Sequence, residues 1–578
     1  AGDLRVVLEP AAAPRGAPWQ RARVSASGSI SCRLDGRRCA DPARLPRALP
    51  SGLHTMTWHV GHLGRGTRRA SRSFVSGKPL DLGRVRSALR MRLPAALLDG
   101  RGGARRGTLA AVLEPLLSRA VRERIPEKSK ITKWLLGAFE RAEVAISIDA
   151  VAHALRVELR AHFIGEDKAR SQLLFKLALR PFVEAGRVRL RREGEVVPAL
   201  RGAAYKKLKG ASRLAAGAIG GILGHVGAKK GGAFLGILAG LVGGSKVVDP
   251  LLHKLLAWGG ERVLAAQLPL LEDGIARFLG EHARLSFERP ALSIALRPVS
   301  VHVAPSEVSL LLDAGVVEAR HLRAAERAAR SRAHGGPDTP PIVSVGPLPR
   351  VPAADTRAGA LPAKRTARSV RVDVSADLVN AVLYAAWRDG TLDRLVARSG
   401  VLGPLSRRPL ADLLAFRLLG YRFTLPPMLT AAPARGRAEL RAGAIDVRLR
   451  PIGDDPRIPR RLVLDGALIL VPELVAKQRL LRLRVKPSRL ALTCGRGTAA
   501  APLRPCLDAF ARLGRRMLAR RRDLAMRLSL RRLYRDVLLE TTAGKIRVTL
   551  APRAVVSTAA HPLVSLWLDL GLSAERSK

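Results

Sequence analysis

The stretch Val372 to Gly390, VDVSADLVNAVLYAAWRDG, decides how this chain is read. Val370, Val372 and Val374 alternate with polar residues, the period-two pattern of a strand with one apolar face. Ser375 follows, a hydroxyl suited to accept from an N–H of a first helical turn, and Asp377 puts negative charge at the positive end of that helix. Leu378, Val379, Val382, Leu383, Ala386 and Trp387 then recur at three- and four-residue steps. Gly390 supplies the left-handed residue on which many helices end.

Periodicity alone predicts an amphipathic helix after a strand, and an ordinary core helix satisfies it. The particular residues say more. Ser375, Asp377, Asn380, Leu383, Tyr384, Trp387 and Gly390 together resemble the helix that opens the C-terminal barrel in bacterial relatives of bactericidal/permeability-increasing protein, the tubular lipid-binding (BPI-type) superfamily. Downstream, LPPMLTAAPARGRAELRAGAIDVRL from Leu425 to Leu449 resembles that family's next strand pair, entered through a Pro-Pro turn. The resemblance implies an α+β fold with two halves, each a curled antiparallel sheet around a long helix that leaves an aliphatic slot for acyl chains. On that expectation Val379, Val382, Leu383, Ala386 and Trp387 line the slot from the helix, and Leu440, Ile445, Val447 and Leu449 face them from the strands. A slip of one residue in strand phase exchanges the whole inward set.

Composition sets the bounds. At 578 residues the chain exceeds a single core, and 47% hydrophobic with 26% charged residues is globular. Aromatics are only 4%, so apolar volume comes from aliphatic side chains. The formal charge of +54 calls for anionic company: phospholipid head groups, lipopolysaccharide or nucleic acid. Nucleic acid is disfavoured, because aromatic stacking platforms are missing beside the arginines. Runs such as Arg187-Val-Arg189-Leu-Arg191 and Arg482-Leu-Arg484-Val place Arg and aliphatics on opposite faces of a sheet, a pattern that serves a solvated face or a membrane-facing one.

Four cysteines form two local pairs, Cys32 with Cys39 and Cys494 with Cys506, which reads as two disulfides in an oxidising compartment. Together with a start at Ala1 rather than Met, this predicts export to the periplasm, outer membrane or cell surface.

The chain divides into an N-terminal segment 1–19, a β module 20–83, a first half 84–324 with a Gly-rich helical insertion 210–260, a Pro/Arg-rich linker 325–364, and a second half 365–578. The module's Asp-Gly turn and its Pro-x-Gly-x-His step, in RVSASGSISCRLDG and LPSGLHTMTWHVGHLG, resemble the small PEGA-type β-sandwich of bacterial envelope proteins. His54, His59 and His62 suggest a metal, yet in a strand only His54 and His62 share a face and no carboxylate or thiol joins them, so a structural role is expected. Residues 84–140 read helical, 325–364 carries too many breakers to bury much, and 506–539 reads as an Arg-rich helical run. In the first half, alternating strands run at 144–148, 155–159 and 188–190 and again from 285 to 312.

In the insertion, glycines four apart (Gly217 and Gly221, Gly220 and Gly224, then Gly232, Gly236, Gly240 and Gly244) give small-xxx-small spacing, which lets helices approach closely. Each arm, Ala211 to Gly224 and Gly231 to Val248, falls short of or barely reaches the roughly 20 residues that span a bilayer, so the hairpin dips into a membrane or packs tightly in the protein. Arg515, Arg516, Arg520, Arg521 and Arg522, with leucines between them, suit an anionic membrane surface, or a helix packed with its arginines in water.

Catalytic templates are absent: no HExxH, GxSxG, Walker loop or EF-hand spacing, and no evident pair of carboxylates for acid–base work. The expected function is non-enzymatic, with no cofactor and no metal: binding and transfer of phospholipid or lipopolysaccharide-type lipids. The alternatives are a membrane-inserting effector that uses the glycine hairpin, and a structural subunit held by envelope protein partners.

Overall fold

The structure is a computed structural model. It describes residues 5–10, 19–25, 29–42, 49–62, 66–99, 107–124, 139–165, 170–202, 206, 273–276, 285–288, 291–318, 342–348, 369–388, 390, 392–393, 416–432, 437–451, 461–475, 480–494, 524–529, 536–541, 544–557 and 564–574.

An eight-stranded antiparallel sheet runs through the centre, in the order Leu285–Glu288, Ala291–Ala304, Glu307–Glu318, Val85–Pro94, Ser369–Val374, Val564–Ala574, Gly544–Ser557, Asp536–Thr541. Its order is symmetric about the Val85–Pro94/Ser369–Val374 pair. On each side a first strand is flanked by the last strand of its own half of the chain, then by the two strands that precede that one. The halves meet through four paired residues, from Arg371↔Arg92 to Val374↔Leu89.

Between its first strand and its return, each half sends out a helical passage and a second antiparallel sheet. The first half carries helices α1 (Ala96–Asp99) and α2 (Leu109–Arg124), then the four strands Phe139–Val151, Ala154–Gly165, Arg170–Glu184 and Arg187–Gly202. The second carries helix α3 (Ala376–Arg388) and a sheet built on Phe416–Phe423, Arg437–Pro451, Arg461–Val475, Leu480–Cys494 and Leu524–Ser529, with Met428–Ala432 paired to Arg437–Pro451.

Helices α2 and α3 are placed reciprocally. Leu113 and Leu117 of α2 share a cluster with Val548, Leu570 and Leu572 from the second half's strands, whereas Leu378, Ala381 and Ala385 of α3 pack on Val85, Ala88, Ala314 and Val316 from the first. Neither half therefore completes its core alone. Burial of aliphatic side chains on both sides of the junction, at about 25 cal/mol per Å², is the main term holding the halves together.

This corrects the expected α+β class. Among the described residues the chain is mostly β, in several antiparallel sheets, and its helices are short, 4, 16 and 13 residues for α1, α2 and α3. They lie on sheets instead of forming long axes within curled ones. Two stretches expected to be helical are strands in part: Val85–Pro94 within 84–140, and Leu524–Ser529 with Asp536–Thr541 within 506–539. In each, apolar residues fall two apart, as Leu89, Met91 and Leu93 or Leu524, Met526 and Leu528 do, and sheet pairing selects that period over the helical one. The Pro/Arg-rich stretch is corrected too, because Ile342, Val343 and Leu348 are buried. Its segment 342–348 is tied down by the Pro79↔Val343 bridge, by Leu80 N–H to the Ile342 carbonyl (2.8 Å) and by Leu348 N–H to the Ser87 carbonyl (3.0 Å).

The N-terminal module has a four-stranded sheet, in the order Arg37–Arg38, Ser29–Leu34, Gly52–His62, Gly66–Ser76, around buried Met56, Trp58, Val60 and Phe74. Cys32 and Cys39 are disulfide-bonded with their Cα atoms 5.4 Å apart. Cys506 of the second expected pair, the glycine insertion with Gly217, Gly221, Gly224, Gly232, Gly236, Gly240 and Gly244, and the arginines from Arg515 to Arg522 lie outside the described residues. No helix among the described residues is long and apolar enough to cross a membrane.

Candidate functional site at helix α3 and the hairpin facing it

Helix α3 is held in place by nearly every polar side chain it carries. Ser375 Oγ accepts from Leu378 N–H at 3.1 Å, while its own N–H donates to the Ala88 carbonyl at 2.9 Å, fixing the helix start to the central sheet. Asp377 reaches out of the first turn: Oδ1 accepts from the N–H groups of Val345 (2.6 Å) and Gly346 (2.9 Å), and Oδ2 from Ser344 Oγ at 2.6 Å. One turn on, Asn380 Oδ1 accepts from Leu429 N–H at 2.7 Å and its Nδ2 donates to the Leu429 carbonyl at 3.0 Å. The amide thereby pairs with strand Met428–Ala432 as a neighbouring backbone would. Trp387 Nε1 donates to the Phe423 carbonyl at 2.7 Å, and its ring centroid lies 5.5 Å from that of Tyr384. Gly390, at φ +70°, ends the helix, with its N–H returning to the Trp387 carbonyl.

With those anchors set, the apolar residues of α3 divide among three surfaces. Leu378, Ala381 and Ala385, joined by half-buried Val382, face the central sheet. Tyr384 and Trp387 close on Ile342, Phe423 and Ala442, with half-buried Ile445 against them. The third group is different: Val379 and Leu383 meet Leu440, Val345 and Val564 around buried Ala376, Leu429 and Ala438, and all five of the larger aliphatics are only half buried. It forms an aliphatic seam between α3 and the hairpin of Met428–Ala432 with Arg437–Pro451.

Of the residues expected to line a slot, Val379, Leu383 and Leu440 come together in this seam. Val382 lies beside the central sheet, and Ile445 beside Trp387. Ala386, Val447 and Leu449 are buried, and Trp387 is fully so. Val345 and Val564 were not anticipated. Val345 sits in a proline-rich run without periodicity, and Val564 becomes adjacent only through pairing of Ser369–Val374 with Val564–Ala574.

The hairpin is gripped from its outer side as well. Met428 clusters with Leu53 and Val75 of the N-terminal module and with Val343. Arg441 Nη1 donates to Asp35 Oδ2 at 2.7 Å and to the Leu53 carbonyl at 2.9 Å, and its Nε donates to Glu439 at 3.2 Å. Asp35 also takes the Thr55 N–H at 3.0 Å and His54 Nδ1 at 2.8 Å, while His54 Nε2 reaches the Pro50 carbonyl at 2.7 Å. Burial pushes the Asp35 carboxyl up, but the His54 hydrogen bond, the charges of Arg441 and His54 and the Thr55 N–H outweigh it and hold the group at about 2. His54 is thus committed on both nitrogens, and among the described residues no group of three His, Cys, Asp or Glu side chains is placed to hold a metal ion.

No protein-family model matches the chain, and no curated protein matches it. Among solved structures it is similar to a lipopolysaccharide binding protein at 12% identity, over 85% of this chain and 100% of that one, with a TM-score of 0.29. It is also similar to P47 of Clostridium botulinum E1 at 9% identity, over 85% of this chain and 100% of that one, again with a TM-score of 0.29. Likenesses this distant carry no argument about fold or ligand.

Proposed function

We propose that this chain binds a lipid acyl chain in the aliphatic seam between α3 and the hairpin, and that it serves as a non-catalytic carrier of phospholipid or lipopolysaccharide-type lipid at an envelope membrane. The observation that carries the reading is the contrast within α3. Every polar anchor named above is satisfied by a fixed backbone or side-chain partner, while Val379 and Leu383 are left half buried opposite Leu440, Val345 and Val564. A helix so firmly fixed can keep an apolar face open without collapsing onto its neighbours, and contiguous apolar surface that is not closed marks a place for an apolar guest. Physical cost points the same way: a lipid tail in water costs about 0.8 kcal/mol per exposed CH₂, so a carrier needs apolar surface and no reactive group.

Two further features support the wider reading. The Cys32–Cys39 disulfide suits an exported protein. The formal charge of +54 suits anionic head groups and membrane surfaces. The residues from Ser375 to Gly390 and from Leu425 to Leu449 also carry the resemblance to bacterial lipid-binding relatives given above.

The test is mass spectrometry of lipids carried through native purification of the full chain, with Val379→Asp and Leu383→Asp as controls. The expected result is a stoichiometric acylated species that falls at least tenfold in either variant. Recovery of no acylated species, or equal recovery from wild type and both variants, overturns the proposal.

A further inference from the structure

In the hairpin that walls the seam, Met428–Ala432 is an edge strand, whereas Arg437–Pro451 is paired on its other side with Arg461–Val475. Among the described residues Met428–Ala432 pairs with Arg437–Arg441 alone, and its polar tie to the helix is the Asn380–Leu429 pair. Its sequence alternation sends Leu429 toward α3 and Met428 and Thr430 the other way. On that other side stands the N-terminal module, and the contact is closely fitted. A Cβ on Gly52 would come within 3.0 Å of Thr430 Cγ2, and one on Gly443 within 2.6 Å of Ser73 Cβ and 3.3 Å of Leu53 Cδ2. Strand Arg437–Pro451 bulges at Gly443-Ala444, with Ala444 at φ +51°. The carboxylate that stabilises the bulge is buried Asp465, whose Oδ1 accepts the Ala444 N–H at 2.7 Å. That same carboxylate accepts from Ser71 Oγ at 2.7 Å and from Ser73 Oγ, both on the module strand Gly66–Ser76. Asp35 and Arg441 form a second tie, at 2.7 Å.

From this we infer that the N-terminal module is a working part of the lipid site and not a separate appendage. Through Asp465 and Arg441, acting as positioning residues, it holds the hairpin against α3 and so sets the width of the seam and the rate at which a guest leaves. The inference rests on the lipid reading of the same seam, but its mechanical half, that the module fixes the hairpin, stands on packing alone. A short edge strand such as Met428–Ala432, with one inner polar tie, opens easily, because its backbone hydrogen bonds are few and lie at a sheet margin. Two outer ties and the Leu53–Val75–Met428 contact supply what it lacks.

The experiment is hydrogen–deuterium exchange on the full chain, wild type against Gly443→Val, which drives side-chain atoms into Ser73 and Leu53. Arg441→Met and the Ser71→Ala/Ser73→Ala pair serve as milder variants that leave the bulge backbone intact. The expected result is faster exchange of amides in 428–441, by about tenfold or more, with unchanged exchange in 154–183 of the first half. Unchanged exchange in 428–441 in all three variants overturns the inference, whether or not the module itself is released. If Gly443→Val exchanges fast throughout, the two milder variants decide alone. A second readout is the release rate of a fluorescent fatty acid from the same proteins. Faster hairpin exchange with at least threefold faster release supports the inference whole, and faster hairpin exchange with unaltered release overturns the link to the guest. A wild-type protein that takes up no fatty acid overturns the lipid reading, while the exchange data still decide whether the module holds the hairpin.

Discussion

Asn380 is the residue whose role is most sharply defined by its surroundings. A buried amide with both ends on one backbone residue is replaced at high cost, since each buried group left without a partner costs about 1–3 kcal/mol. Asn380→Ala is expected to lower the opening free energy of the Leu429 amide by about 2–4 kcal/mol, measured by native-state hydrogen exchange. Asn380→Asp should not rescue it, because a carboxylate oxygen would then face the Leu429 carbonyl. Trp387→Phe removes only the donor to the Phe423 carbonyl and keeps most of the apolar contact, so a loss of about 1–3 kcal/mol is expected in the same assay. Ser375, Asp377, Tyr384 and Gly390 belong with these two. The residues that make the helix recognisable in the sequence mostly hold it in place, and the half-buried Val379 and Leu383 beside them carry the proposed binding.

At the scale of elements, the contact between module and hairpin carries a pH dependence. The folded value of Asp35, about 2, lies below its ordinary 3.8. The ionised carboxylate therefore stabilises the docked state fully above about pH 4, and that contribution is lost as pH falls through 2. Its size is about 2 kcal/mol, from the separation of the two values. Asp35→Asn is expected to lower the denaturant midpoint of the module at neutral pH, and the two midpoint curves should converge below about pH 2. Curves that stay parallel from pH 5 to pH 2 would exclude a charged Asp35 as the source. The strands were largely legible at this scale, because Leu155, Val157 and Leu159 alternate with Arg156 and Glu158 and are buried as that alternation predicts. The fastening of 342–348 was not. Ile342, Val343 and Leu348 follow no period, and their burial comes from edges of other elements that happen to need covering there.

The whole molecule turns on the strand pair that joins its halves. On the face away from α2, Asp373, fully buried, lies in register opposite Arg90. It accepts from Arg371 Nε at 2.6 Å and Ser565 Oγ at 2.8 Å, and Arg92 Nε stands 3.2 Å from its Oδ2. The Arg92 approach is a charge contact without hydrogen-bond alignment. Burial and neighbouring Arg92 pull the Arg90 guanidinium below its usual range, against the opposing pull of Asp373 and Glu307. Taking away one member of such a group leaves like charges buried together, which costs about 3–5 kcal/mol. Asp373→Ala is expected to lower the thermal midpoint strongly, and Asp373→Ala combined with Arg92→Met should recover part of the loss. A double variant no better than the single one would show that the charges do not act as a unit.

The sequence by itself determined where strands alternate, where α3 starts and stops, and that the chain is basic and equipped for a local disulfide, since all of these depend on residues close together in the chain. Only the tertiary structure decided that Val85–Pro94 and Leu524–Ser529 are strands, that α2 and α3 each pack on strands of the other half, and that Val379, Leu383, Leu440, Val345 and Val564 share one seam. The reason is that side chains distant in sequence acquire a common surface only when strand register and helix anchoring have been set, and both are fixed by pairing between segments that are far apart in the chain.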